Sequence, residues 1–282
     1  MKLADASPWI ASFLAQHPVL LDELLDSRTL YRPPDRVTLA ADIRRRLSQA
    51  PADDLESQIE ELCIFKQSNV LRVAAADVTG RLPLMRVSDF LSDIAEIAVN
   101  AVVDLAWDHL VERHGTPVCR LDGRPCERGF AVIAYGKLGG LELGYGSDLD
   151  LVFLHAGVDG PTRGGPRPID TAQFFNRLGQ RVIHILTSHT RAGKVYEIDT
   201  RLRPSGISGI LVRHVEAFGD YQLNEAWTWE HQALIKARAV SGEALITARF
   251  DAIRGQTLAR RRESTRLRAD VIEMRERMRR ER

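Results

Sequence analysis

Gly136-Lys-Leu-Gly-Gly-Leu-Glu-Leu-Gly-Tyr-Gly-Ser-Asp-Leu-Asp-Leu-Val-Phe-Leu154 is the stretch that decides how this chain folds. Its second half, Asp148 to Leu154, reads as a strand. Residues two apart on a strand share a face, so Asp148 and Asp150 project together while Leu149 and Leu151 enter a core. Two carboxylates a few ångströms apart repel unless a cation lies between them. Hard oxygen ligands in a segment without His or Cys suit Mg²⁺ or Mn²⁺. The first half is a glycine-rich bend. Backbone N–H groups over Gly136–Gly140 can cradle a triphosphate there, because glycine lets the backbone come close to an anion.

Moving outward, Phe130-Ala-Val-Ile-Ala-Tyr135 is a short buried-strand pattern that follows the turn Arg120–Pro125. Beyond the acid strand, residues 157–168 are rich in Gly and Pro and form a loop. Asp170 with Gln173 resembles a capping box, and Phe174, Leu178, Val182, Ile185 and Leu186 form one apolar helical stripe. After Ala192-Gly193 a third strand is predicted from Val195 to Arg203, stopped by Pro204. Its one face carries Val195, Glu197, Asp199, Arg201 and Arg203. If that strand lies beside the second, Asp199 completes a trio of acids able to hold two metal ions. Such a pair activates an attacking oxygen and stabilises a leaving phosphate. From about Val215 the pattern is helical to the end.

Each piece has a plainer reading alone. Asp-x-Asp often marks a solvated edge or a structural calcium site, glycine clusters are usually turns, and alternating charges often form surface ladders. The order strand, glycine bend, acid strand, helix, acid strand outweighs them together. The bend is neither a P-loop nor a dinucleotide fingerprint, since the glycine spacing fits neither.

The region to about Gly115 reads as helices. Leu55, Ile59, Leu62 and Phe65 recur at helical spacing, as do Ile94, Ala98, Ala101, Val102, Leu105 and Leu110. Turns fall at Arg32–Asp35, Pro51–Asp54 and Thr79-Gly80, and Ser88 is placed as an N-cap. At 282 residues, 44% apolar and 27% charged, the chain is long enough for about two folded domains. A net charge of +1 makes no case for nucleic acid, although Thr257–Arg282 carries ten Arg against five acids. Cys63, Cys119 and Cys126 form no CxxC and read as reduced thiols. With no apolar run long enough to span a membrane and no signal-peptide pattern, a cytoplasmic location is expected.

The Gly-x bend followed after ten residues by Asp-x-Asp resembles the nucleotidyltransferase superfamily that includes DNA polymerase beta. The usual bend is Gly-Ser. Here Lys137 stands in place of the serine, so that either a side-chain hydroxyl assists the phosphates or Lys137 contacts them instead. The closer resemblance is to the glutamine synthetase adenylyltransferase family. It is carried by Tyr135–His155, Tyr196-Glu-Ile-Asp-Thr-Arg-Leu-Arg-Pro-Ser-Gly206 and Asn224-Glu-Ala-Trp-Thr-Trp-Glu-His-Gln-Ala233. His17-Pro-Val-Leu-Leu-Asp-Glu-Leu-Leu-Asp26 and Phe65-Lys-Gln are similar too.

The resemblance implies an α+β fold. A helical region (1–115) precedes a polymerase-beta-like nucleotidyltransferase domain with a mixed sheet (116–240). The start of a truncated helical domain (241–282) follows. It implies Mg²⁺- or Mn²⁺-dependent transfer of AMP from ATP to a tyrosine of glutamine synthetase. The alternatives are the opposing phosphorolytic removal of AMP, or a silent module that binds glutamine synthetase or a PII signalling protein. Neither nucleic acid nor membrane is implied as a partner. Asp148, Asp150 and Asp199 are the implied metal ligands and catalytic acids. Gly136, Lys137, Gly139, Gly140, Ser147 and Arg201 are implied around the nucleotide. Asp199 or Glu197 is the implied base for the tyrosine hydroxyl, whose pKa near 10 demands help at neutral pH. The helix around Trp227–Arg238 is read as presenting Trp227, His231, Leu234 and Arg238 on one face. Packing is expected for its tryptophans, with Glu230 and Lys236 beside the nucleotide or the acceptor.

Overall fold

The computed structural model describes residues 8–18, 20, 30–261 and 264–280. Most of the resembling stretch His17–Asp26, and Arg262, Glu263, Glu281 and Arg282 of the Arg-rich tail, therefore lie outside the described residues. In chain order the helices and strands are α1 (Pro8–Gln16), α2 (Arg36–Gln49), α3 (Leu55–Val78), α4 (Leu84–His114), β1 (Phe130–Ala134), α5 (Gly136–Gly139), β2 (Leu149–His155) and α6 (Thr171–Thr187). Then come β3 (Ile198–Asp199), β4 (Val212–His214), α7 (Val215–Asn224), α8 (Thr228–Leu234), β5 (Arg238–Gly242), α9 (Ala244–Ala259) and α10 (Ser264–Arg280). The α+β class expected from sequence is what forms. Among the described residues no helix is long and apolar enough to cross a membrane.

The chain divides into two compact units that interleave along it. One comprises residues 1–109, 141–149 and 180–198; the other comprises 110–140, 150–179 and 199–282. The first unit is mainly helical. Its turn signals act as caps: Asp35 accepts from the Thr38 N–H at 2.8 Å and Asp54 from the Ser57 N–H at 3.1 Å, starting α2 and α3. Ser88 is not a cap, because α4 already begins at Leu84 after Pro83, where a proline-preset turn starts a helix without it. The buried face of α3 carries Ile59, Leu62, Phe65 and Val70, as its spacing requires.

The sheet runs in the order β3-β2-β1-β5, with β4 also on β2. β1 is antiparallel to both β2 and β5, whereas β4 is parallel to β2. β3 flanks the start of β2 and β4 its end, from Phe153 to His155. In the second unit, Ala131, Ile133, Val152 and Leu154 pack with Phe218 of α7 and Phe250 and Ile253 of α9. The opposite face stacks Phe130 on Phe153 and on Phe175 at the start of α6. Burial on both faces explains why these strands are continuous apolar runs rather than alternating ones.

Two departures from the sequence reading matter. The third strand is two residues long, not nine, because the chain turns at Thr200. Arg203 donates to the Thr200 and Gly209 carbonyls and holds that turn. Residues after Val215 are not all helical either, since Arg238–Gly242 forms β5 against β1. Five residues of modest polarity carry little strand signal until a neighbour offers a free edge.

Glu243 fixes the corner after β5. Its carboxylate accepts from the N–H groups of Glu127, Arg128 and Gly129 at 3.0, 3.0 and 2.9 Å. Glu243→Ala leaves three donors short of an acceptor. It is expected to lower stability by about 2 kcal/mol, read as a lower urea midpoint at unchanged slope.

His155 supplies a pH prediction. Its ring is buried against Phe175, its Nδ1 accepts from the Gly157 N–H, and burial followed by His214 pushes its pKa down to about 3. In the unfolded chain the group titrates near 6.5. As pH falls from about 6.5 toward 3 the unfolded state takes up a proton that the native state refuses, so stability declines across that window. His155→Asn keeps an acceptor for Gly157. It should flatten the decline by up to one proton, about 1.4 kcal/mol per pH unit, in denaturation curves at stepped pH.

Candidate active site

The second unit brings Asp150 and the glycine bend together. The Tyr135 N–H donates to the Asp150 carbonyl at 2.9 Å, which puts the end of β1 beside the second residue of β2. Gly136 then takes a left-handed φ of 53°. A Cβ on it would stand 2.1 Å from Asp150 Oδ2, so the carboxylate rests directly on the glycine backbone. The bend itself is one short helical turn, α5. Gly139 and Gly140 donate their N–H groups to the Tyr135 and Gly136 carbonyls, and the first N–H groups of such a turn have no partner within it.

Gly139 is glycine for a different reason. A Cβ there would meet the Lys236 and Ala134 carbonyls at 2.3 and 2.6 Å. Arg238, which the sequence reading placed on a helix face, lies in β5 and donates to the Leu138 and Gly139 carbonyls at 3.0 and 3.1 Å. It holds the C-terminal end of the glycine turn, a role no local pattern announces. Lys137 is exposed on the turn.

Asp199 ends β3. Its carboxylate accepts from the backbone N–H of Arg201 at 2.7 Å and from the guanidinium Nε at 2.8 Å. These bonds hold its pKa below the usual carboxylate range. Arg201 is therefore folded back on Asp199 instead of standing beside it on a strand face. Among the described residues, no group of three or more His, Cys, Asp or Glu side chains is gathered in a metal-holding arrangement.

Asp148, Ser147 and Glu197 belong to the first unit. Asp148 is exposed just ahead of β2. Ser147 Oγ accepts from the Gly144 N–H at 3.1 Å, closing the turn before the acids. Glu197 is exposed and paired with Lys194, while its carbonyl accepts from the Leu149 N–H at 2.9 Å.

Glu230 is buried, and both oxygens are engaged. One accepts from Tyr221 Oη at 2.9 Å and the other from the Trp227 N–H at 2.9 Å, which caps α8. Tyr221 Oη in turn accepts from the Ser205 N–H at 3.2 Å. Glu230 thus fastens the loop that follows Asp199 and Arg201. The packing role expected of Trp227 does not appear: its side chain is 64% exposed and lines a groove with Thr228, His231, Arg260 and Asp270. α8 ends at Leu234, so the longer helix face read from sequence is not formed.

Comparison with known proteins agrees with the family resemblance read from the sequence. A family model described as glutamate-ammonia ligase adenylyltransferase matches residues 1–253. Proteins named bifunctional glutamine synthetase adenylyltransferase/adenylyl-removing enzyme from Thioalkalivibrio sulfidiphilus, Nitrosococcus oceani and Pseudomonas syringae are 55, 54 and 53% identical. Each match covers 99% of this chain and 28 or 29% of the relative, so the chain spans less than a third of the length of those proteins. The chain belongs to the glutamate-ammonia ligase adenylyltransferase family.

Proposed function

We propose that this chain performs transfer of AMP from ATP to a tyrosine of glutamine synthetase, on a polymerase-beta-like nucleotidyltransferase fold. The observation that carries the reading is the seat of Asp150 Oδ2 on the Gly136 backbone, which sets an acid at the mouth of a turn suited to phosphate.

The donor set fits a hard divalent cation, since carboxylate oxygens alone suit Mg²⁺ or Mn²⁺. Asp150 and Asp199, both of the second unit, are the residues that would hold it. When bound, such an ion lowers the cost of negative charge developing on the phosphates and the attacking oxygen. The chain's own groups do the rest. The backbone of Gly136–Gly140 with Lys137 receives the phosphates, and Arg201, held at Asp199, supplies a cation near them. Asp199 or Glu197 takes the proton of the tyrosine hydroxyl. Glu230 acts through Tyr221 to hold the Asp199–Ser205 loop. In this reading glutamine synthetase is the protein substrate and a PII protein its regulator.

The test is incubation of the chain with glutamine synthetase, Mg²⁺ and ATP labelled in the α-phosphate. Label on a glutamine synthetase tyrosine with stoichiometric pyrophosphate is the expected result. Phosphate-dependent release of ADP from adenylylated glutamine synthetase, without labelling, would assign the opposing activity instead.

A further inference from the structure

The glycine turn α5 has Gly136 and Gly139 among its four residues and is closed by the N–H groups of Gly139 and Gly140. A single helical turn fixes several dihedrals for little return and does not persist alone. Its glycines add the entropy of a backbone without Cβ. What keeps it in place is the segment around β5, in the same unit. The Lys236 carbonyl lies so close to Gly139 that a Cβ there would stand 2.3 Å from it. Two residues on, Arg238 pairs with Ala134 at the end of β1 and reaches back to the turn. Its Nε donates to the Gly139 carbonyl at 3.1 Å, and a terminal guanidinium nitrogen donates to the Leu138 carbonyl at 3.0 Å.

A cation is favoured at that end of the turn, where the last carbonyls carry partial negative charge. The planar fork of arginine meets two neighbouring carbonyls at once, whereas a lysine meets them as a point charge. Such charge-assisted bonds are stronger than neutral ones. The grip is itself braced. Arg254 of α9 donates to the Leu234 and Ile235 carbonyls, immediately before Lys236. At the other end of the turn, Gly136 carries Asp150 Oδ2 on its backbone. Moving the Leu138–Gly139 end therefore moves the seat of the acid.

We propose that Arg238 is a positioning residue for adenylyl transfer: its hold on Leu138 and Gly139 fixes Gly136 where Asp150 meets the cation and the phosphates. The inference rests on the transfer reading above.

Arg238→Met is compared with Arg238→Lys and with Arg249→Met, which removes an ion pair to Glu216 between α9 and α7. Hydrogen exchange followed by NMR should find the Gly139 and Gly140 amides about tenfold or more faster in Arg238→Met, with those of β1 and β2 unchanged. Single-turnover labelling of glutamine synthetase should slow roughly 10- to 100-fold, at an unchanged half-saturating concentration of that protein. Arg238→Lys should fall between, and Arg249→Met should transfer at the wild-type rate. Should Arg238→Met fail to fold, Arg238→Lys carries the test with the same outcomes at smaller size. A wild-type chain that labels nothing sinks the transfer reading alone. Arg238 is then decided by Mn²⁺ affinity, read by electron paramagnetic resonance and expected to weaken about tenfold in Arg238→Met. Turn amides that exchange as in the wild type overturn the proposal. So does a loosened turn without loss of rate or of Mn²⁺ affinity, or an equal slowing in Arg249→Met.

Discussion

Asp150→Asn is expected to slow the proposed adenylyl transfer on the order of 10³-fold while the folded state is kept. Asparagine has nearly the same shape, so the packing of the side chain on Gly136 survives. The backbone bond from Tyr135 to the residue 150 carbonyl does not depend on the side chain at all. What disappears is one negative charge at the place where the proposed reading holds a cation. Single-turnover labelling of glutamine synthetase gives the rate, and thermal unfolding controls for structure. A variant that stays folded and transfers AMP at a near wild-type rate would remove the carboxylate from the mechanism.

Gly136→Ala should hurt both rate and stability. The left-handed φ of 53° costs an L-residue about 1–2 kcal/mol. The new methyl would also overlap Asp150 Oδ2, forcing the carboxylate or the turn to move by more than an ångström. Displacement on that scale costs on the order of 10²-fold in rate. Gly123→Ala is the informative control. Its φ of 76° imposes similar strain, yet nothing lies within 4 Å of the added methyl. It should destabilise comparably and leave the rate alone. Equal rate losses in the two variants would mean that stability, and not the position of Asp150, limits activity.

Much of the fold was legible because it rests on short-range spacing. The continuous apolar runs of β1 and β2, the stripe on α6 and the capping residues Asp35 and Asp54 each follow from two to four residues of context. The family resemblance was legible for the same reason, since it resides in contiguous motifs. The third strand was read as running to Arg203 because Val195, Glu197, Asp199, Arg201 and Arg203 recur at a period of two, and it ends at Asp199. Asp199 and Arg201 are two apart, but their side chains bond to each other once the backbone turns at Thr200. β5 was missed because its pairing with β1 is non-local. Trp227 was expected to pack, on the reasoning that large aromatics are usually buried, and no neighbour covers most of its side chain.

Of the candidate site, the sequence identified the residue types and left their partners open. That Asp-x-Asp, a glycine bend and a later Asp occur in this order was determined by the sequence alone. Only the tertiary structure decided that Asp150 rests on Gly136, that Glu230 holds Tyr221, and that Arg238 closes the glycine turn. The reason is physical. Helix and strand periodicities are set by neighbours a few residues away, whereas the partner of a buried charge or of a bare glycine backbone is whichever distant segment the packed core delivers to it.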